Sequence, residues 1–134
     1  MADHVATVLD MYQAFGRGDI PAILEHLDDE VTWDHGVRDT GMPWLAPGTG
    51  KAAVVAFFEA LAAGLEFTVF EPGTPCEGGD TVMVPVREVA RALATGRMVD
   101  EDVYVHIWTF GPDGRVVAFR HVGDWARTEA ALAP

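Results

Sequence analysis

Two short segments place groups that can transfer protons next to large aromatic rings. VTWDHG puts Trp33 and His35 two positions apart, and MVDEDVYVHIWTF does the same for His106 and Trp108. In an extended strand, residues two apart face the same side. An imidazole titrates near neutrality, so it can take a proton from carbon or water and return it to oxygen. Each segment predicts a pocket wall that carries an imidazole, with a surface position as the plain alternative. By the same alternation, Asp34 is expected to face solvent or a loop.

Composition and charge limit the function classes. The chain has 134 residues, 49% of them hydrophobic and 22% charged, which is typical of one globular domain over residues 1–134. Its net charge of −12, with nine scattered Lys and Arg, argues against partners such as nucleic acid or anionic membranes. The single cysteine, Cys76, allows no intrachain disulfide and fits a reducing cytoplasm. We see no signal peptide and no apolar run of roughly 20 residues that could span a bilayer.

Three helices are predicted in the first half. Apolar residues at helical spacing predict a helix over residues 4–16, with Asp3 as its N-cap. A shorter helix follows Asp19, with a proline in its first turn. A third helix is predicted from about 51 to 63, with Gly64 as its stop.

The second half changes to strands. Residues 37–50 are predicted as loop, because they are crowded with Gly and Pro. Strands are predicted at 65–71, 80–91, 98–110 and 115–125, separated by the turn sequences PGTP, EGGD, ATG and GPDG. Helices followed by a long antiparallel meander make an α+β domain.

The strand over 98–110 is apolar on both faces. Tyr104, His106 and Trp108 point one way, while Val105 and Ile107 point the other. One face can pack on the helices, and the other suits a homodimer partner. A curled sheet wrapped around a helix leaves a cone with an opening, where small-ligand pockets form.

The chain resembles the nuclear transport factor 2-like superfamily and its SnoaL-like branch. The matching segments are FGRGDIPAILEHLDDEVTWDHG, GTGKAAVVAFFEAL, ATGRMVDEDVYVHIWTF and DGRVVAFRHVGDWA, in the expected order over nearly the whole chain. The resemblance implies a cone-shaped α+β barrel, with three N-terminal helices packed on a curved, mostly antiparallel sheet. Enzymes of this superfamily include ketosteroid isomerases, polyketide cyclases and limonene epoxide hydrolases, which mostly work without metal or cofactor.

The family's catalytic positions are occupied by histidines here. His35 falls where the isomerases place their Asp base, and His106 where they place the Asp of the oxyanion hole. His121, in FRHVGD, takes the position of the acid/base Asp of cyclases and epoxide hydrolases. None of the family's known catalytic sets is complete. The resemblance therefore implies either His35 or His121 as base and His106 as donor to a developing oxyanion.

Other positions are candidates for substrate contact. Trp33, Trp108 and Phe119 suit an aromatic wall, and Trp44 in the Gly/Pro-rich loop is either a lid or a structural anchor. The oxyanion-hole Tyr of the isomerases falls near Met11, one residue from Tyr12. Arg87 and Glu88 point to opposite faces. A weak match to the epoxide hydrolases puts Arg87 inward, the alternative being a surface ion pair.

Three functions stay open. The first is a cofactor-independent enzyme that performs acid–base chemistry on a hydrophobic, oxygenated small molecule by isomerisation, aldol-type cyclisation or water addition. The second is a non-catalytic module that binds a small ligand or a partner. The third is a metal site formed by the three histidines, ranked last because they have no close-spaced ligand motif.

Overall fold

The structure is a computed structural model that describes residues 3–37 and 40–134. The helices are α1 (His4–Gly16), α2 (Ile20–Leu24), α3 (Lys51–Gly64) and α4 (Ala126–Leu132), with a 3-10 helix at Pro43–Leu45. The strands are β1 (Leu27–Trp33), β2 (Gly48–Thr49), β3 (Leu65–Pro72), β4 (Cys76–Gly78), β5 (Thr81–Ala92), β6 (Met98–Phe110) and β7 (Val116–Val122). In this described part of the chain, no helix combines the length and the apolar character needed to cross a membrane.

The starts of α1 and α2 follow local side-chain chemistry. The Asp3 carboxylate accepts the backbone N–H of Ala6 at 3.0 Å, and Asp19 accepts that of Ala22 at 3.2 Å. These bonds satisfy N–H groups that the first turn of a helix leaves without partners. The predicted caps and the three N-terminal helices are therefore confirmed.

The strands form one curled, unclosed sheet in the order β2-β1-β7-β6-β5-β3, with β4 paired to β5. The pairing of β1 with β7 is parallel and the other pairs are antiparallel. Alternate residues of β5 and β6 are buried on the inner face, against which the helices pack. The predicted α+β fold is thus confirmed.

The structure differs from the predicted elements in three places. The last strand ends at Val122 rather than at 125, and Trp125 has a left-handed backbone (φ 61°) that leads directly into α4. No helix was predicted there from the sequence. Cys76–Gly78 adds a short strand where a turn was expected. Of the predicted loop, residues 38 and 39 lie outside the described residues, and the rest contains the 3-10 helix and β2.

Glu101 fixes α4 against the sheet. Its carboxylate accepts the backbone N–H of Thr128 at 3.1 Å and the Thr128 hydroxyl at 2.7 Å. Arg97 donates to the carbonyls of Ala130 and Ala133 at the other end of the helix. Both ends of α4 are therefore tied to β6 and to the turn before it, which places Trp125 over the inner face.

Candidate functional site

An aromatic cavity lies between the helices and the inner face of the sheet. Its volume is about 70 Å³. All the Trp and Tyr residues of the chain, and every Phe except Phe110, line it. The aromatic lining consists of Tyr12, Phe15, Trp33, Trp44, Phe57, Phe58, Phe67, Phe70, Tyr104, Trp108, Phe119 and Trp125. Such walls favour a flat or cyclic hydrophobic ligand.

Strand register brings the wall together. Trp33 of β1 pairs with Phe119 of β7, which pairs in turn with Trp108 of β6. The Phe119 ring centroid is 4.3 Å from each of the two indoles. Two residues further along β7, His121 pairs with His106 of β6. The inner face therefore carries a row of aromatic rings beside a row of two imidazoles.

His121 is held by a buried carboxylate. Its Nδ1 lies 2.9 Å from Oδ1 and 2.8 Å from Oδ2 of Asp34, and its backbone N–H donates to Oδ1 at 2.8 Å. The Asp34 side chain is 0% exposed, and His121, at 7%, lines the cavity. A carboxylate at Nδ1 holds the ring proton there and leaves the Nε2 lone pair free. This is the arrangement of a general base with an orienting acid behind it.

His106 belongs to a second polar group. Its Nδ1 is 2.8 Å from the Tyr12 hydroxyl, and the Trp108 indole N–H donates to that same hydroxyl oxygen at 3.1 Å. Burial, followed by the nearby charge of His121, lowers the pKa of His106 well below its ordinary value, so the ring is neutral at neutral pH. Burial raises the pKa of Tyr12 despite the Trp108 hydrogen bond, so its proton stays on. Tyr12 can donate to Nδ1, which leaves the His106 proton on Nε2.

Glu88 and Tyr104 form a third polar group, which was not predicted from the sequence. The Tyr104 hydroxyl donates to Glu88 Oε2 at 2.7 Å, and both residues line the cavity. Burial raises the pKa of the Glu88 carboxyl, although the Tyr104 hydrogen bond and the charge of His121 oppose it. Burial and then Glu88 raise the pKa of Tyr104 well above its ordinary value, so its hydroxyl stays a donor.

The predicted position of His35 is wrong. His35 is exposed, does not line the cavity, and places Nε2 3.1 Å from the Thr49 hydroxyl. β1 ends at Trp33, and Asp34 then takes a left-handed conformation (φ 58°). Strand alternation no longer holds past that point, so His35 turns outward. Asp34 turns inward under His121, which also corrects its expected exposure.

The predicted inward position of Arg87 is wrong as well. Arg87 forms surface ion pairs with Glu71 at 3.1 Å and Asp100 at 3.0 Å, as the alternative prediction had it. Glu88 is the inward neighbour, because the even-numbered positions of β5 carry the buried valines. That periodicity was readable in the sequence and could have located Glu88. No comparable signal marked Asp34, whose inward turn depends on one backbone angle.

The remaining predicted side chains lie in the cavity wall. Trp33, Trp108, Phe119, Tyr12 and Trp44 all line it, and their contact with a substrate stays a prediction. Trp44 is buried in the 3-10 helix against Gly64. The three histidines do not converge, since His35 lies apart. Within residues 3–37 and 40–134, no cluster of three or more His, Cys, Asp or Glu side chains suited to a metal ion occurs.

Comparison with known proteins identifies the family. Residues 8–119 match the model of the SnoaL-like domain, so the chain belongs to that family. It is similar to the crystal structure of an NTF2-like protein of unknown function from Burkholderia pseudomallei, with 27% identity, a TM-score of 0.87 and all of both chains covered. No curated protein matches the chain in sequence.

Two further solved structures share the fold. TerC, co-crystallised with polyporic acid, is 21% identical with a TM-score of 0.80, over 96% of this chain and 97% of its own. A Mesorhizobium loti protein provisionally named a SnoaL-like polyketide cyclase is 18% identical with a TM-score of 0.71, over 89% of this chain and 97% of its own. At these identities the likeness concerns the fold alone.

Proposed function

We propose that this protein is a small enzyme, acting without a cofactor, that performs acid–base chemistry on a hydrophobic, oxygenated small molecule in the aromatic cavity. The observation that carries the proposal is the Asp34–His121 pair, a buried carboxylate behind an imidazole that lines the cavity. The name given to the Mesorhizobium loti protein is in keeping with it. A cytoplasmic location is part of the proposal, since Cys76 is an exposed free thiol.

The roles follow from proton positions. His121 Nε2 takes a proton from a carbon next to a carbonyl, and its imidazolium is stabilised by Asp34. The electron pair of the C–H bond moves into the carbonyl, so the oxygen becomes an enolate. His106 Nε2–H donates to that oxygen, with Tyr12 as the positioning residue behind it. If the enolate is conjugated with a double bond, the imidazolium can return the proton to another carbon, which gives isomerisation. Alternatively, the enolate carbon attacks a second carbonyl carbon, and the alkoxide that forms takes the proton from the imidazolium, which gives aldol-type cyclisation.

Hydrogen–deuterium exchange tests this function directly. The probe is 2-tetralone in D2O, whose C1 protons lie next to both the carbonyl and the aromatic ring, and loss of their proton NMR signal gives the rate. The wild-type protein should accelerate exchange over buffer, and His121→Gln should lower that rate by about 10²- to 10⁴-fold. His35→Gln is the matched control and should keep the wild-type rate.

Two outcomes contradict the proposal. Full activity in His121→Gln would remove His121 as base. A wild-type protein that 2-tetralone stabilises against heat, but that gives no exchange above buffer, would be a binding module, the second function that the sequence leaves open.

A further inference from the structure

Glu88 is the acidic residue of the cavity wall. Among the described residues that line the cavity, it is the one carboxylate, and it is 7% exposed. It faces inward from β5, beside Tyr104 of the neighbouring strand β6. The Asp34 carboxylate, in contrast, lies behind His121 and is fully buried. Glu88 therefore presents an acidic group directly to a ligand.

The hydrogen bonds of Glu88 are incomplete. A carboxylate has two oxygens with about four acceptor sites between them. Among the described residues, Tyr104 supplies one hydrogen bond, to Oε2, and none reaches Oε1. Oε1 is not among the fully buried side-chain atoms of the described residues that lack a partner, so it is open to the cavity. A ligand donor can reach it there, and such a donor stabilises a largely buried carboxylate.

The surroundings favour a neutral donor over a cation. Burial penalises any charge brought into the cavity from water. A hydroxyl brings one donor and no charge. A ligand hydroxyl can donate to this carboxylate in the same way as the Tyr104 hydroxyl does.

We infer that Glu88 and Tyr104 form a hydroxyl-binding subsite, and that the ligand of this cavity is a flat, mainly apolar compound bearing an O–H group. The inference rests on the proposed function in one respect: the ligand also has a carbonyl oxygen, which accepts a hydrogen bond from His106. The Tyr104 and His106 rings are in edge contact, with centroids 5.2 Å apart, so the Glu88–Tyr104 pair lies directly beside His106 in the cavity wall. The substrate class is then a hydroxylated aromatic or polycyclic ketone rather than a hydrocarbon or an amine.

Equilibrium dialysis with two probes of similar shape tests the subsite. 2-Naphthol can donate a hydrogen bond, whereas 2-fluoronaphthalene cannot. The wild-type protein should bind 2-naphthol at least about tenfold more tightly, which corresponds to about 1.4 kcal/mol. Glu88→Gln should reduce this preference about tenfold, because a neutral acceptor forms a weaker hydrogen bond than a carboxylate.

Arg87→Gln is the matched control, a change at the outward-facing neighbour on the same strand that should leave the preference intact. Equal binding of the two probes by the wild type would overturn the inference. So would an unchanged preference in Glu88→Gln, or tighter binding of naphthalen-2-ylmethylammonium than of 2-naphthol at pH 7. Equilibrium dialysis measures affinity alone, whereas 2-tetralone exchange measures proton transfer. The hydroxyl subsite can therefore be confirmed when the proposed catalysis is not, and the catalysis can be confirmed when the subsite is not.

Discussion

The direction of a single side chain decides the chemistry of the cavity. Asp34 follows Trp33 directly, yet both are buried, because the left-handed backbone at Asp34 turns its carboxylate under His121. Asp tolerates this conformation better than most residues. The pair joins residues 87 positions apart in the chain. Without Asp34, His121 would be a buried imidazole with no group to fix its proton.

Asp34→Asn should lower the rate of 2-tetralone exchange by about 10²- to 10⁴-fold. The amide can still accept the backbone N–H of His121. Its NH2 group would donate to Nδ1, however, and so move the ring proton to Nε2, the nitrogen that must be free. The measurement is the same NMR exchange assay, with thermal unfolding followed in parallel.

The chain offers a second Asp–His pair as control. The Asp10 carboxylate lies 2.7 Å from His26 Nε2 at the surface, so Asp10→Asn alters a comparable Asp–His contact outside the cavity. It should leave exchange unchanged. Wild-type exchange in Asp34→Asn would mean that the carboxylate has no part in catalysis.

At the scale of elements, the 3-10 helix closes one side of the cavity by resting on the end of α3. A Cβ added at Gly64 would overlap the six-membered ring of Trp44. Trp44 is both a buried anchor and part of the cavity wall. Trp44 therefore has the buried position expected of an anchor and also borders the cavity, and this position depends on the absence of a side chain at Gly64.

Gly64→Ala should lower the free energy of unfolding by about 1–3 kcal/mol, because the added methyl group displaces the Trp44 ring. Urea unfolding followed by tryptophan fluorescence measures the loss. Gly16→Ala is the matched control, since Gly16 also ends a helix but has no atom within 4 Å of its added Cβ. Equal stability of the two variants would show that the Trp44 contact does not constrain α3.

At the scale of the whole molecule, the outer face of the sheet carries apolar side chains. Ile107 pairs across the sheet with Met83, and Val105 pairs with Val122. Met83 and Val122 are 46% and 41% exposed. These apolar residues come from three adjacent strands, with Arg120 of β7 beside Ile107, and form a surface that a second copy of the chain can cover.

We expect the protein to be a homodimer that buries this face. Light scattering after size exclusion should then give about twice the chain mass of 14.5 kDa. Ile107→Glu should shift the protein to monomer, since a symmetric interface would bring two carboxylates together. Leu9→Glu, at an exposed position on α1, should remain dimeric. A monomeric wild-type protein would contradict the prediction.

Local patterns were enough for most of the fold. The caps at Asp3 and Asp19 and the inward set Tyr104, His106 and Trp108 could be read from neighbouring residues, because capping and strand alternation are properties of a few consecutive positions. The same alternation located Glu88 in principle. Family resemblance supplied the cone and the inward positions of His106 and His121, but its position for His35 was wrong.

Tertiary structure decided which groups meet. His121 with Asp34, His106 with Tyr12, and Glu88 with Tyr104 are contacts between different elements. They depend on strand register and helix placement, which no local periodicity contains. His35 and Asp34 exchanged their expected faces because a single left-handed residue ended the alternation. The sequence by itself determined most of the elements and the aromatic inner face, because these depend on neighbouring residues. Only the packing of distant segments determined α4 and the contacts of the proposed base, its carboxylate and the polar groups around them.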